Sequence, residues 1–194
     1  MDAELLSWAR AVKQRRRSKR PVLWLFTDAE RLPDPLPAIA ALPKSLSGVV
    51  FRHDQITERK ALAIRVAALC RARKIPLIIA GDARLAAAMG AGQHLRGGRW
   101  PGPIRTRRLL TASAHNLAEL RRAERNGAKI IFLSPAFQTP SHPDQPVFGA
   151  ARWANIAHRA QSAEVHSLGG VNGKNIRLLP CFCAGVGAIT GLTP

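Results

Sequence analysis

The chain has 194 residues, of which 46% are hydrophobic and 22% charged. That is the composition of an ordinary globular domain, and it excludes a disordered chain, a collagen-like chain and a disulfide scaffold; no apolar run approaches the ~20 residues of a membrane span. Against 12 Asp+Glu stand 30 Lys+Arg, a net charge of +18, which points to an anionic partner such as nucleic acid, anionic lipid or a phosphorylated metabolite.

Met1–Val12 carries apolar residues at Leu5, Trp8, Ala9 and Val12, one face of a helix. Lys13, Arg15, Arg16, Arg17, Lys19 and Arg20 follow it. Residues 1–20 therefore read as a basic helical extension, and residues 21–194 as one domain. The acids precede the bases at the N-terminus, which is not the order of a signal peptide.

Eight short apolar runs come next: Val22–Phe26, Gly48–Arg52, Pro76–Ala80, Gly92–Leu95, Arg108–Ala112, Lys129–Leu133, Ala163–Leu168 and Cys181–Val186. Several lack strict alternation, as strands of a parallel sheet buried on both faces do. Helical patterns lie between them at Thr57–Lys74, Arg84–Met89, Asn116–Asn126, Ala151–Arg159 and Asn172–Leu179. Thr57 is a candidate cap for the first of these. Asn116 with Glu119 is a stronger start signal. Strand–helix alternation with eight strands predicts an α/β fold, a (β/α)₈ TIM barrel, with an open flavodoxin-like sheet as the alternative. The barrel is shortened at its C-terminus, because few residues follow the eighth run. Leu5, Trp8 and Val12, or a second subunit, are expected to cover the side left open. Cys70, Cys181 and Cys183 read as reduced, buried thiols of a cytoplasmic protein, since two cysteines two residues apart on a strand make a poor disulfide.

In such a barrel, chemistry gathers where the strands end. The polar residues there include Thr27-Asp28, Arg52-His53-Asp54, Gly81-Asp82, His94, Ser113 and His115. Ser134, Thr139, Ser141 and His142 follow the sixth run, Gly169-Gly170 the seventh, and Ile189-Thr190 the eighth. Glycines and hydroxyls in the last loops suit a phosphate. Tight turns would read the same way. His53 with Asp54 suits an active-site rim or a solvated loop, and Asp28 suits a helix cap.

Seven segments in order carry a resemblance: LWLFTD at Leu23–Asp28, GVVFRHD at Gly48–Asp54, LIIAGDARLAAAMGAGQHL at Leu77–Leu95, TASAHN at Thr111–Asn116, GAKIIFLSPAFQTPSHP at Gly127–Pro143, LGGVN at Leu168–Asn172 and AGVGAIT at Ala184–Thr190. Through them the chain resembles the thiamin phosphate synthase and thiazole tautomerase (TenI) family from Val22 to Thr190. The resemblance implies a TIM barrel that binds a thiazole phosphate. Thr139 and Ser141 would contact the thiazole, and Gly170, Ile189 and Thr190 would cradle its phosphate. The synthase also takes a pyrimidine diphosphate and Mg²⁺. Its Gln-x-Arg-x-Lys pattern reads Val50, Arg52 and Asp54 here, its Asn-Asp reads Gly81-Asp82, and its lysine after the Thr-x-Thr pair is His142. Arg52, Ser113 and His142 thus remain for a diphosphate, and Asp82 for the metal, with Arg96 and Arg99 as spare bases. His115, in Ser113-Ala114-His115, matches the tautomerase's proton-transfer histidine.

Three functions follow from the resemblance and the charge. One is tautomerase-like isomerisation of a thiazole phosphate, with no cofactor and His115 as the catalytic residue. The second is a divergent synthase with Mg²⁺ on Asp82. The third is an inactive barrel whose residues 1–20 bind nucleic acid or an acidic partner. A homo-oligomer is compatible with each.

Overall fold

The computed structural model describes residues 2–54, 56–99, 108–139 and 146–193. Eight parallel strands close into one barrel in chain order: β1 (Leu23–Phe26), β2 (Ser47–Phe51), β3 (Leu77–Ala80), β4 (Gly92–Leu95), β5 (Leu110–Ala114), β6 (Ile130–Leu133), β7 (Glu164–Leu168) and β8 (Val186–Ala188). The α-helices are α1 (Ala3–Arg16), α2 (Leu36–Ala41), α3 (Arg59–Arg73), α4 (Ala83–Ala88), α5 (Leu117–Arg125) and α6 (Gly149–Ala157). This is the (β/α)₈ architecture that the alternation predicts.

Strand residues alternate between the barrel interior and the surrounding helices. The interior cluster holds Trp24, Phe26, Val50, Ile78, Ala80, Ile130 and Phe132. Phe132 meets Phe26 edge-on at 4.8 Å and Trp24 at 5.9 Å, the geometry that aromatic quadrupoles favour. Gly48 makes room for Trp24, since a Cβ there would come within 2.5 Å of the indole. The outward residues Leu25, Val49, Ile79, Ile131 and Leu133 join the larger helix-side core.

α1 is packed into that core. Leu5, Ala9 and Val12 are fully buried and Trp8 partly so. Asp2 caps α1, accepting from the Glu4 and Leu5 amides, and also accepts from Gly173 N at 2.7 Å. At the other end Arg15 and Arg16 donate to the carbonyls of Cys181 and Phe182. α1 therefore runs from the loop after β7 to the segment before β8.

Several expected boundaries move. β5 lies two residues later than expected, which brings His115 directly to its end. The eighth strand is Val186–Ala188, not Cys181–Val186. β1 pairs with Val186, Gly187 and Ala188, while Cys181 and Cys183 lie in a turn where Cys183 N donates to Pro180 O. Cys181 is consequently exposed rather than buried. The helix expected over Asn172–Leu179 is a single 3₁₀ turn, Ile176–Leu178. α2 was not legible because prolines crowd its sequence. Thr57 does not cap α3, whose cap position is Glu58 without a side-chain bond. Asn116 does cap α5, its Oδ1 accepting from Glu119 N at 2.8 Å.

Candidate active site

The carboxyl ends of the strands surround a cavity of about 500 Å³, within the range of small-molecule sites. Phe26, Asp28, Arg52, Asp54 and His94 line one side of it. Arg96, Ser113, His115, Ser134 and Leu168 line the other. The sequence expectations Arg52, Ser113 and His115 thus meet in one cavity. Asp82 does not line it. Gly170, Ile189 and Thr190 sit on the neighbouring loops after β7 and β8, and Thr139 on the loop after β6. Ser141 and His142 lie outside the described residues.

The His115 ring is held by one side. Its Nδ1 lies 3.0 Å from the Ser134 carbonyl oxygen and 3.3 Å from Ser134 Oγ. A carbonyl can only accept, so Nδ1 carries the proton and Nε2 is the basic nitrogen of the neutral ring. The backbone amide of His115 donates to Glu119 Oε2 at 2.8 Å, so the first turn of α5 fixes the histidine's backbone. Ser113 Oγ accepts from Gly97 N at 3.0 Å.

Asp28, Asp54 and Asp82 are each paired with arginine. Asp28 accepts from Arg52 at 2.9 Å and from the Arg31 amide at 3.1 Å. Burial opposes its charge, but the Arg31 amide and the Arg52 and Arg31 guanidiniums outweigh it and hold its pKa below the usual carboxylate value. Asp54 takes Arg59 on Oδ1 at 3.1 Å and Arg96 on Oδ2. Asp82 caps α4 through Leu85 N at 2.9 Å and pairs its other oxygen with Arg59 at 3.2 Å. Among the described residues, no group of three or more His, Cys, Asp and Glu converges as a metal-ligand set. A divalent cation would have to take a carboxylate away from a guanidinium. Asp82 therefore caps α4 with one oxygen, and a Mg²⁺ held on the other would share it with the Arg59 guanidinium.

His53 is buried rather than at the rim. Its Nδ1 is 2.8 Å from Thr27 Oγ1, its Nε2 is 3.2 Å from the Leu32 carbonyl oxygen, and its ring stacks on Phe51. His94, expected at a strand end but given no role by the sequence, lines the cavity. It lies on β4 two positions after the inward Gly92, so strand alternation was the signal that could have found it. Its Nδ1 is 2.9 Å from Thr111 Oγ1 and its ring meets Phe26 edge-on at 5.7 Å. Burial, then the charges of Arg52 and Arg96, push its pKa down to about 3. Burial also lowers His53 and His166.

These histidines set an acid limit to stability. The unfolded chain takes up their protons below about pH 6.5, while the folded chain keeps His94 neutral down to about 3. Stability is therefore complete above about pH 6.5 and falls as pH decreases, by up to about 1.4 kcal/mol per pH unit for each such histidine. Urea unfolding at about pH 7.5 and pH 5 should show this drop, with His94→Gln flattening it. The lowered carboxylates Asp28, Glu124 and Glu164 add their loss at lower pH.

The loop after β7 is locked to the loop after β6. Ala136 N donates to Leu168 O at 2.9 Å and Phe137 N to Gly169 O at 3.1 Å. Gly170 has φ +67°, and a Cβ there would lie 2.3 Å from the Gln138 carbonyl oxygen, so only glycine fits this junction. The peptide between Ser134 and Pro135 is cis.

A closed parallel barrel with a polar, ligand-sized cavity at its strand ends defines a (β/α)₈ protein with the site at its usual end. The family described as "Thiamine monophosphate synthase" (TMP-TENI) matches residues 27–192, and the chain belongs to this family of thiamin biosynthesis. It is 31% identical to the thiamine-phosphate synthase of Thiobacillus denitrificans over 170 residues, covering 79% of this chain and 76% of that one. It is 32% identical to that of Listeria monocytogenes over 146 residues, covering 71% and 68%. Its fold is that of thiamine phosphate pyrophosphorylase from Pyrococcus furiosus, with a TM-score of 0.73 at 22% identity over 87% of this chain and 85% of that one.

Proposed function

We propose that this protein binds a thiazole phosphate at the barrel mouth and shifts a double bond of the thiazole carboxylate, with His115 carrying the proton. The observation that supports this is the His115 ring, oriented by the Ser134 carbonyl and left with Nε2 as its basic nitrogen. Nε2 would take a proton from a ring carbon and return one to the exocyclic carbon as the double bond moves. Atoms and charge balance with no co-reactant. Gly170, Ile189 and Thr190 would hold the phosphate, with Thr139 and Ser141 on the thiazole. Arg52 and Arg96 line the same cavity and would meet the carboxylate by charge-assisted hydrogen bonds.

A second reading is synthase chemistry, favoured by these cavity arginines and by the relatives named above. Arg52, with Ser113 and His142, would then receive the diphosphate of the pyrimidine. Two incubations separate the readings: thiazole carboxylate phosphate alone, and thiazole phosphate with pyrimidine diphosphate, with and without Mg²⁺. Proton NMR is expected to show the double-bond shift in the first and no thiamin phosphate in the second. Thiamin phosphate without a shift would reverse the assignment.

A further inference from the structure

The surplus charge is not spread evenly over the barrel. In a parallel barrel, the segments that lead into strands all lie at the end opposite the mouth. At that end α1 finishes with the exposed Arg15, Arg16, Arg17 and Lys19. Lys44, before β2, is exposed there, as are Arg71 and Lys74, before β3. Arg125 and Lys129, before β6, and Arg159, before β7, continue the band around the barrel. Among the described residues only Glu124 and Glu164 carry negative charge at this end. Glu124 is held by Arg121 and by the amides of Gln161 and Ser162. Glu164 pairs with Arg20 at 3.1 Å. The other described acids lie on segments that follow strands or open helices, at the mouth end.

We infer that the end of the barrel opposite the mouth binds a nucleic-acid duplex through its phosphates, without reading bases. Like charges crowded on one face repel each other, and a polyanion relieves that repulsion. Arginine outnumbers lysine in the band, and its planar fork matches phosphate oxygens. The band follows most of the barrel's circumference, which suits an extended, regularly charged rod more than a compact acidic patch. A membrane is disfavoured because the apolar face of α1 is spent inside the protein, with Leu5, Ala9 and Val12 fully buried. Insertion into lipid needs such a face exposed. The exposed aromatic ring of Phe182 lies against His158 at 5.7 Å. That leaves little for stacking on unpaired bases. The inference is independent of the chemistry at the mouth.

Fluorescence anisotropy with fluorescein-labelled DNA and RNA duplexes about 20 base pairs long tests it, titrated over a range of salt. Micromolar binding with a steep salt dependence is expected on both duplexes. The triple variant Arg71→Glu, Lys74→Glu, Lys129→Glu should bind at least about tenfold more weakly, and its log–log salt slope should be shallower by about three. A charge-matched triple at the mouth end, Lys60→Glu, Arg84→Glu, Lys174→Glu, should lose far less. Equal loss in both triples, or no duplex binding at about 100 mM salt, would overturn the inference. So would binding to vesicles of phosphatidylglycerol and phosphatidylcholine in place of the duplexes, which would assign the face to a membrane.

Discussion

His115→Asn is expected to slow the double-bond shift by about 10²–10⁴-fold, the usual contribution of a positioned general acid–base group. The KM for the thiazole phosphate should move little, because the proposed phosphate cradle, Gly170, Ile189 and Thr190, lies on other loops. Stability should also hold. His115 is an exposed side chain, and the tie from its backbone to Glu119 survives the substitution. Ser134→Ala gives a second readout. It removes only Oγ, 3.3 Å from Nδ1, and leaves the carbonyl that orients the ring at 3.0 Å. Its effect should be several-fold at most. A His115→Asn protein with unchanged turnover would exclude this residue from the proton transfer, and with it the isomerase reading.

Much of this site could be read from the order of residues, because each candidate stands directly after an apolar run. Arg52, Ser113 and His115 needed only the rule that chemistry lies at the strand ends. The charge network could not be read. Arg96 reaches Asp54 from 42 positions away, and Arg59 joins Asp54 to Asp82 across two loops. Such pairing is set by the closure of the barrel and leaves no local trace. Asp82 shows the opposite case. Its place three residues before Leu85 is a helix-cap signal, and its Oδ1 does accept from the Leu85 amide. The strands followed the same division. Apolar runs such as Leu77–Ala80 and Ile130–Leu133 declare themselves. β8 contains a glycine and only three residues, so its position is fixed by pairing with β1 and β7 rather than by its own sequence. The mouth and the far end also differ in kind. At the mouth, arginines are matched with aspartates and hold them charged. At the far end the bases have few acids near them, so the net charge reflects the far end far more than the chemistry.

The second large effect concerns α1, where charge and packing lie on opposite faces of one helix. Val12→Asp is expected to unfold the protein or lower its stability by several kcal/mol. Burying a valine contributes about 1.5–3 kcal/mol, and an unpaired carboxylate in its place adds a desolvation cost. The whole stability of such a domain is only about 5–15 kcal/mol. Val12 has no exposed surface, and Leu5 and Ala9 share its environment, so removing residues 1–16 should have the same outcome, seen as lost cooperativity in urea unfolding. Arg10→Glu, on the exposed face of the same helix, changes the charge by more and should shift stability by no more than about 0.5 kcal/mol. If Arg10→Glu were the damaging substitution and Val12→Asp the tolerated one, α1 would be an electrostatic appendage. The buried face predicts the reverse: the helix is a structural part of the barrel, and its exposed bases belong to the far-end surface.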